Sequence, residues 1–295
     1  TVGLVAPIEH YANSAVPPMQ NHLSRIQAAE QLGFSAVWLR DVPFNVPSFG
    51  DAGQLFDPFV YLGYLSVATE KIALGVASII LPLRHPAHIA KAASSTDVLS
   101  GGRLILGVAS GDRPQEYPAM NTAYENRGKR FSAAFEYIKK VQGDYPAFEN
   151  MYGHLAGDID MLPKTNHGSV PMLITGGGQQ SSEWAAQNAD GWMTYPHAPD
   201  AQKKLIQAYQ SRVVATNRPP QPVMQPLYMD LTDSQSVQAQ PIHLGFKAGP
   251  RFFVHHLKKL EQAGVNHVAL NLRFNQQDID FTLKELAEHV LPEFS

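Results

Sequence analysis

The chain has 295 residues, 44% of them hydrophobic, 9% aromatic and 17% charged, a composition that can bury a sizeable core and lies outside the disordered range. Its 23 Lys plus Arg against 26 Asp plus Glu give a net charge of −3, so no global field recruits nucleic acid or an anionic membrane. Cysteine is absent, which excludes disulfide frameworks, thiolate metal sites and thiol nucleophiles; no apolar run reaches the ~18 residues of a membrane span and the start TVGLVAPIEH lacks a signal-peptide pattern, so a cytoplasmic protein is expected.

Apolar runs of strand length alternate with stretches of helical period, the grammar of βα units around a parallel sheet. A strand is predicted at 2–6; Met19, Leu23, Ile26, Ala29 and Leu32 then recur at helical steps up to Gly33, and a second strand follows at 36–39. A helix across Phe59, Leu62 and Leu65 leads to a strand at 72–81. Another across Ile89, Ala92, Ala93 and Thr96 leads through Ser100-Gly101-Gly102 to a strand at 104–109. Later come strands at 172–175, 191–195, near 224–230 and at 268–272, with helices through Trp184 and Ala185 and through Leu257 and Leu260. Eight strands are what a (β/α)8 TIM barrel requires, here read as an α/β chain forming one domain over 1–295. The open doubly wound sheet is the competing architecture, but the first βα turn, Ala6-Pro7-Ile8-Glu9-His10, has none of the glycines of a dinucleotide loop. The two ends of the chain echo each other: Glu30-Gln31-Leu32-Gly33-Phe34-Ser35-Ala36-Val37 resembles Glu261-Gln262-Ala263-Gly264-Val265-Asn266-His267-Val268, either a barrel repeat or convergent loop chemistry. Segments 112–170 and 216–250 stand outside the repeat and read as insertions after strands four and seven, where barrels keep lids and binding loops.

Three places could carry chemistry. Ile174-Thr175-Gly176-Gly177-Gly178-Gln179-Gln180-Ser181-Ser182 runs from a strand through three glycines to a helix start, a phosphate cradle or simply a tight βα turn; without a P-loop lysine, triphosphate hydrolysis is disfavoured. Small Ala77 and Ser78 inside a bulky strand leave room for a planar group, unless they only satisfy barrel packing. Residues Gly107-Val108-Ala109-Ser110-Gly111-Asp112-Arg113-Pro114-Gln115-Glu116-Tyr117 lead a strand into a charged turn at the catalytic end. The pairs His85-x-x-His88 and His255-His256 have no carboxylates in a ligand pattern, so no metal is expected. Trp38, Trp184 and Trp192 read as core or interface residues, and 43–57, with Phe44, Phe49 and Phe56, as a substrate-covering loop or a packed Ω-loop.

The strand-four motif Gly107 to Glu116 followed by Arg127, the stretch Leu83-Arg84-His85-Pro86 with Ser100-Gly101-Gly102-Arg103-Leu104, the loop motif ending Ala189-Asp190-Gly191-Trp192 and the close at Gly264-Val265 together resemble the luciferase-like flavin-dependent monooxygenases, which include bacterial luciferase and the alkanesulfonate monooxygenases. The resemblance spans most of the chain. It implies FMN on the C-terminal face of the barrel. The family's strand-three bulge, often a non-prolyl cis peptide, would fall on Ala77-Ser78 behind the isoalloxazine. The flavin phosphate would lie on Gly177, Gly178, Gln179, Gln180 and Ser181, with Ala109, Ser110 and Gly111 below the ribityl chain and Glu116 and Tyr195 completing the cofactor set. Asp41, Arg84, His85, His197 and Arg273 are the catalytic candidates, with Asn271 beside them: His85 or His197 for acid–base work, Arg84 or Arg273 for a substrate anion, Asp41 as a polar group after strand two. An ion pair at the barrel rim is the other reading of Arg84. The implied activity uses reduced FMN, delivered by a flavin reductase or regenerated with NAD(P)H, and O2 to oxygenate a small organic substrate, in a homodimer formed through barrel helices. The alternatives are deazaflavin-dependent hydride transfer on the same fold, flavin binding without turnover, and a barrel enzyme whose cradle holds a substrate phosphate.

Overall fold

The computed structural model describes residues 1–232 and 238–294. In chain order its elements are β1 (Val2–Val5), α1 (His22–Gln31), β2 (Ala36–Leu39), α2 (Pro58–Ala68), β3 (Ala73–Ile80), α3 (Pro86–Leu99), β4 (Leu104–Ala109), α4 (Glu116–Ala119), α5 (Arg127–Val141), β5 (Ala147–Asn150), β6 (Gly153–Ala156), β7 (Met172–Thr175), α6 (Ser182–Asn188), β8 (Gly191–Met193), α7 (Pro199–Ala215), β9 (Val223–Leu231), β10 (Gln240–Ile242), β11 (Gly245–Ala248), α8 (Pro250–Gln262), β12 (His267–Asn271) and α9 (Ile279–His289). The parallel strands run β9-β12-β1-β2-β3-β4-β7-β8, and β8 pairs again with β9, closing the eight-stranded barrel. The insertion after β4 holds the antiparallel hairpin β5–β6. The insertion after β9 holds the hairpin β10–β11, whose second strand pairs in parallel with the last four residues of β9 and raises the barrel wall at its C-terminal rim.

Strand periodicity divides the apolar residues between two cores. Val5, Ala36, Trp38, Leu173, Met193, Met224 and Ala269 point inward, joined by Ala73, Ala77 and Ile105. Alternate residues such as Leu4, Val37, Leu39, Leu74, Val76, Leu106 and Val108 point outward under the helices, so the strands are buried on both faces, as the unbroken apolar runs required. Trp38 fills the middle of the barrel. Its Nε1 donates to His267 Nε2 at 2.8 Å, and the bare backbone of Gly75 makes the room, since a β-carbon there would lie inside the indole.

The terminal echo is structural. Gly33 has φ +91° and Gly264 φ +101°. The Gly33 and Phe34 N–H groups donate to Glu30 and Ala29, the Gly264 and Val265 N–H groups to Glu261 and Leu260, all at 2.9–3.1 Å. In both copies the left-handed glycine stops a helix and turns the chain into a strand. The strand expected at 191–195 stops at Met193, and two helices of the ring, α7 and α9, lie outside the predicted set. The buried face of α7 contains Gln202 beside Ile206, Tyr209 and Val213, which breaks the apolar stripe by which a helix is read from sequence. Among the described residues no helix is long and apolar enough to cross a membrane.

Candidate functional site

One wall of the barrel mouth is neutral and rich in small residues. Register against β4 shifts between Val76 and Ile79, and the Ala77–Ser78 peptide within that bulge is cis. The Ser78 hydroxyl bonds the Thr175 hydroxyl, and Thr175 Oγ1 lies 3.3 Å from Met193 Sδ, so strands β3, β7 and β8 present one shelf. Beyond β7 the loop alternates its backbone: Gly176, Gly178 and Gln179 have φ +57°, +55° and +62°. The N–H groups of Gly176, Gly178 and Gln180 donate to the carbonyls of Met193, Thr175 and Gly177. Those of Gly177, Gln179 and Ser181 have no acceptor among the described residues, an arrangement of bare donors suited to an anion. The Ser181 hydroxyl is engaged otherwise, accepting from the Trp184 N–H at 3.1 Å.

The cradle is pinned to the start of α5. Gln180 Nε2 donates to the Gly128 carbonyl at 2.7 Å, and a β-carbon at Gly178 would stand 2.7 Å from the Phe131 ring. Trp192, expected as a core or interface residue, also fastens the loop by donating from Nε1 to the Gly176 carbonyl at 2.9 Å. Arg127 lies over the Tyr124 ring at 3.8 Å and keeps a buried Nε without a partner. Below the cradle, the Tyr117 hydroxyl donates to the Ser110 carbonyl.

The opposite wall is charged. Arg40 continues the inward face of β2 and pairs with Asp51 at 2.7 Å; Arg273, just past β12, pairs with the same Asp51 oxygen at 3.1 Å. Tyr11 and the Gly53 N–H donate to the other Asp51 oxygen at 3.2 and 2.9 Å. Burial would raise the Asp51 pKa, but Arg40, the Gly53 N–H and Arg273 outweigh it and hold the carboxyl below the usual range. Arg273 also donates to the Gly50 carbonyl at 2.7 Å. Arg113 is buried over the Phe49 ring, 4.1 Å to its centre, and donates to the Asp51 carbonyl at 3.0 Å. Glu116 is 1% exposed, and burial raises its pKa against the pull of Arg113 and the Phe44 N–H. His10, in the turn after β1, keeps a buried Nδ1 without a partner.

The residues expected to do chemistry fall into separate places. Asp41 is buried, accepts from the Ile80 N–H at 3.1 Å and pairs with Arg84 at 2.8 Å; Arg84 also reaches Asp57, the N-cap of α2, at 2.9 Å. These two therefore tie β2, the end of β3 and α2 together. His85 caps α3, accepting from the Ala87 N–H at 3.3 Å, and its ring meets Tyr137 and Tyr152 edge-on, on the side of the β5–β6 hairpin. His197 and Tyr195 are exposed beyond β8, while buried Asn271 accepts from the Arg273 N–H at 3.0 Å. His256 stacks on Phe252 and lies edge-on to Phe246. Sequence reasoning missed Tyr11, Arg40, Asp51 and Tyr228. Arg40 was within reach, since it extends the inward parity of Ala36 and Trp38; Asp51 lies in a loop without period.

A family model described as luciferase-like monooxygenase matches residues 1–273. The chain is 30% identical over 204 residues to the F420-dependent hydroxymycolic acid dehydrogenase of Mycobacterium tuberculosis, covering 67% of this chain and 55% of that protein. Among solved structures, an F420-dependent secondary alcohol dehydrogenase in complex with an F420-acetone adduct superposes with TM-score 0.81 at 18% identity, covering 100% and 99% of the two chains. The oxygenating constituent of 3,6-diketocamphane monooxygenase from Pseudomonas putida, a type II Baeyer-Villiger monooxygenase in complex with FMN, gives TM-score 0.75 at 14% identity, covering 100% and 98%. At these identities the superpositions speak for a shared fold.

Proposed function

The chain belongs to the luciferase-like monooxygenase family, and from that premise we propose that it is an oxidoreductase which holds reduced FMN in the barrel mouth and, with O2, oxygenates a small organic substrate. The observation that carries the reading is the neutral wall, where a bulged shelf of small residues at Ala77 and Ser78 adjoins a loop of free N–H groups. That wall fits a flavin phosphate: Gly177, Gln179 and Ser181 offer bare backbone donors. When bound, the flavin supplies the electrons and the oxygen chemistry, which no side chain here provides. The chain's own work is to hold the phosphate on those donors, to back the ring with Ala77 and Ser78, and to keep water out with the loop at 43–57.

A second reading, hydride transfer with a deazaflavin, is favoured by the 30% identity to an F420-dependent dehydrogenase, and the same shelf and cradle would serve it. Titration of the full chain with FMN, riboflavin and F420, followed by fluorescence and melting temperature, separates the two, because a ligand of the native state raises the midpoint by mass action. FMN should stabilise more than riboflavin, and reduced FMN should then drive oxygen consumption; a response to F420 alone overturns the monooxygenase reading. Electrons would come from a partner flavin reductase or from NAD(P)H. A second copy of the chain is the proposed partner of α2, an uncharged helix whose Val60, Tyr64 and Val67 are 72%, 51% and 84% exposed.

A further inference from the structure

We propose that the charged wall of the mouth is a subsite for a substrate carboxylate carried on an apolar body, with the Arg40 guanidinium and the Tyr228 hydroxyl as its contacts. The inference rests on the reading of the mouth as the substrate site and adds the chemical class of what enters it.

Charge comes first. Arg40 and Arg273 share the single carboxylate of Asp51. The other titratable groups against them, Tyr11 and Tyr228, are kept neutral by burial, which raises both phenols. Arg113 adds a third guanidinium on the far side, facing Glu116, whose carboxyl burial pushes toward the neutral form, and the exposed Asp112. The cluster therefore carries at least one positive charge beyond what its own carboxylate balances. A buried, uncompensated cation costs stability and packing does not require it, whereas an arriving anion would balance it.

Geometry says where that anion docks. The Arg113 Nη1 and Arg273 Nε are sealed from solvent and offer nothing to a ligand. Arg40 differs: Nη1 is bonded to Asp51, while the remaining N–H groups are neither bonded nor sealed, on a side chain 19% exposed. That leaves one edge of a planar fork open to the mouth, matched to the two oxygens of a carboxylate. Tyr228 faces the same charges from β9. Its hydroxyl has no partner among the described residues, and its ring is held by Phe274 and His243 at 5.4 and 5.5 Å between centres. The hairpin backbone crowds it too, for a β-carbon at Gly245 would run into the Tyr228 carbonyl. A donor so fixed is preorganised for a ligand. The apolar body follows from the loop above, which presents Phe44 and Phe49 at 42% and 44% exposure, the latter beneath Arg113.

The test is calorimetric titration of the full chain with octanoate and with octanamide, before and after saturation with FMN or F420. Octanoate should bind at least tenfold tighter than octanamide, in either state. Arg40→Gln should abolish that preference. Tyr228→Phe, which removes only a hydroxyl and keeps the fold testable if the first variant does not fold, should weaken octanoate about threefold or more and leave octanamide unchanged. No octanoate binding, equal affinities, an unchanged preference in both variants, or displacement of octanoate by the flavin would each overturn the proposal. The cofactor reading fails separately: octanoate preference without binding of any flavin leaves the subsite standing, and flavin binding without the preference removes only the subsite.

Discussion

Trp38 and Arg40 stand two residues apart on the same inward face of β2, and between them the barrel changes material. Trp38 is packed against bare glycine backbone and hydrogen-bonded to a neutral imidazole. Arg40 is a guanidinium held to a half-shared carboxylate under a loop. The lower arrangement satisfies every group with its neighbours and costs little. The upper one retains cations that well-packed apolar side chains could replace at no loss of stability. The middle of the barrel therefore reads as the source of its rigidity, and the mouth as the part shaped by what binds there.

The largest test of that contrast is Gly75→Val. Trp38 cannot yield to a new side chain, because His267 fixes its N–H, so overpacking costs ~3 kcal/mol or more. Loss of the cooperative thermal transition by circular dichroism is expected; a melt like that of the parent protein would mean the indole moves freely. At the mouth, Asp51→Asn leaves Arg40 and Arg273 without their counter-charge and should cost ~3 kcal/mol in urea unfolding. Adding Arg40→Gln to it should recover part of the loss, a coupling that only residues in direct contact show.

Acid separates the regions as well. Burial, with the N-terminal charge, lowers the His267 pKa to about 3, while the unfolded chain takes up that proton near ~6.5. The unfolded state then binds more protons below pH ~6.5, so the contribution is fully present above that value and is lost as pH falls toward 3. Each unit of pH in that window removes at most about 1.4 kcal/mol. His267→Gln, which can still accept from Trp38, should flatten this slope in urea midpoints measured from pH 7 to 5. Gly178→Ala acts on the mouth alone: the added methyl meets Phe131 at 2.7 Å in a left-handed backbone, so FMN affinity should fall about tenfold, ~1.4 kcal/mol, by fluorescence titration.

The same contrast governs what could be read from sequence. Elements of the barrel body carry a period, and the terminal echo at Gly33 and Gly264 carries a turn chemistry, so strands and their order were legible. The neutral wall was legible too, because glycines at 176–178 and small residues at Ala77 and Ser78 are conspicuous in apolar runs. The charged wall was not. Asp51 comes from an aperiodic loop, its partners come from the ends of β2 and β12, and nothing local in the chain joins them. Asp41 and Arg84 were both singled out for chemistry, yet the structure pairs them with each other and with Asp57, a closure visible only once β2 and β3 lie side by side.

The smallest expected effect on stability lies on the outer face of the helical ring. All 11 residues of α2 are uncharged, and a helix apolar all round is one whose outer face is also covered. Val67 is 84% exposed, so Val67→Asp should change the monomer's stability by no more than ~0.5 kcal/mol. If a second copy covers α2, the same change buries a carboxylate in an apolar interface and should convert a dimer to a monomer by sedimentation. A dimer that survives the substitution would place the interface elsewhere and leave α2 as an apolar helix with an open face.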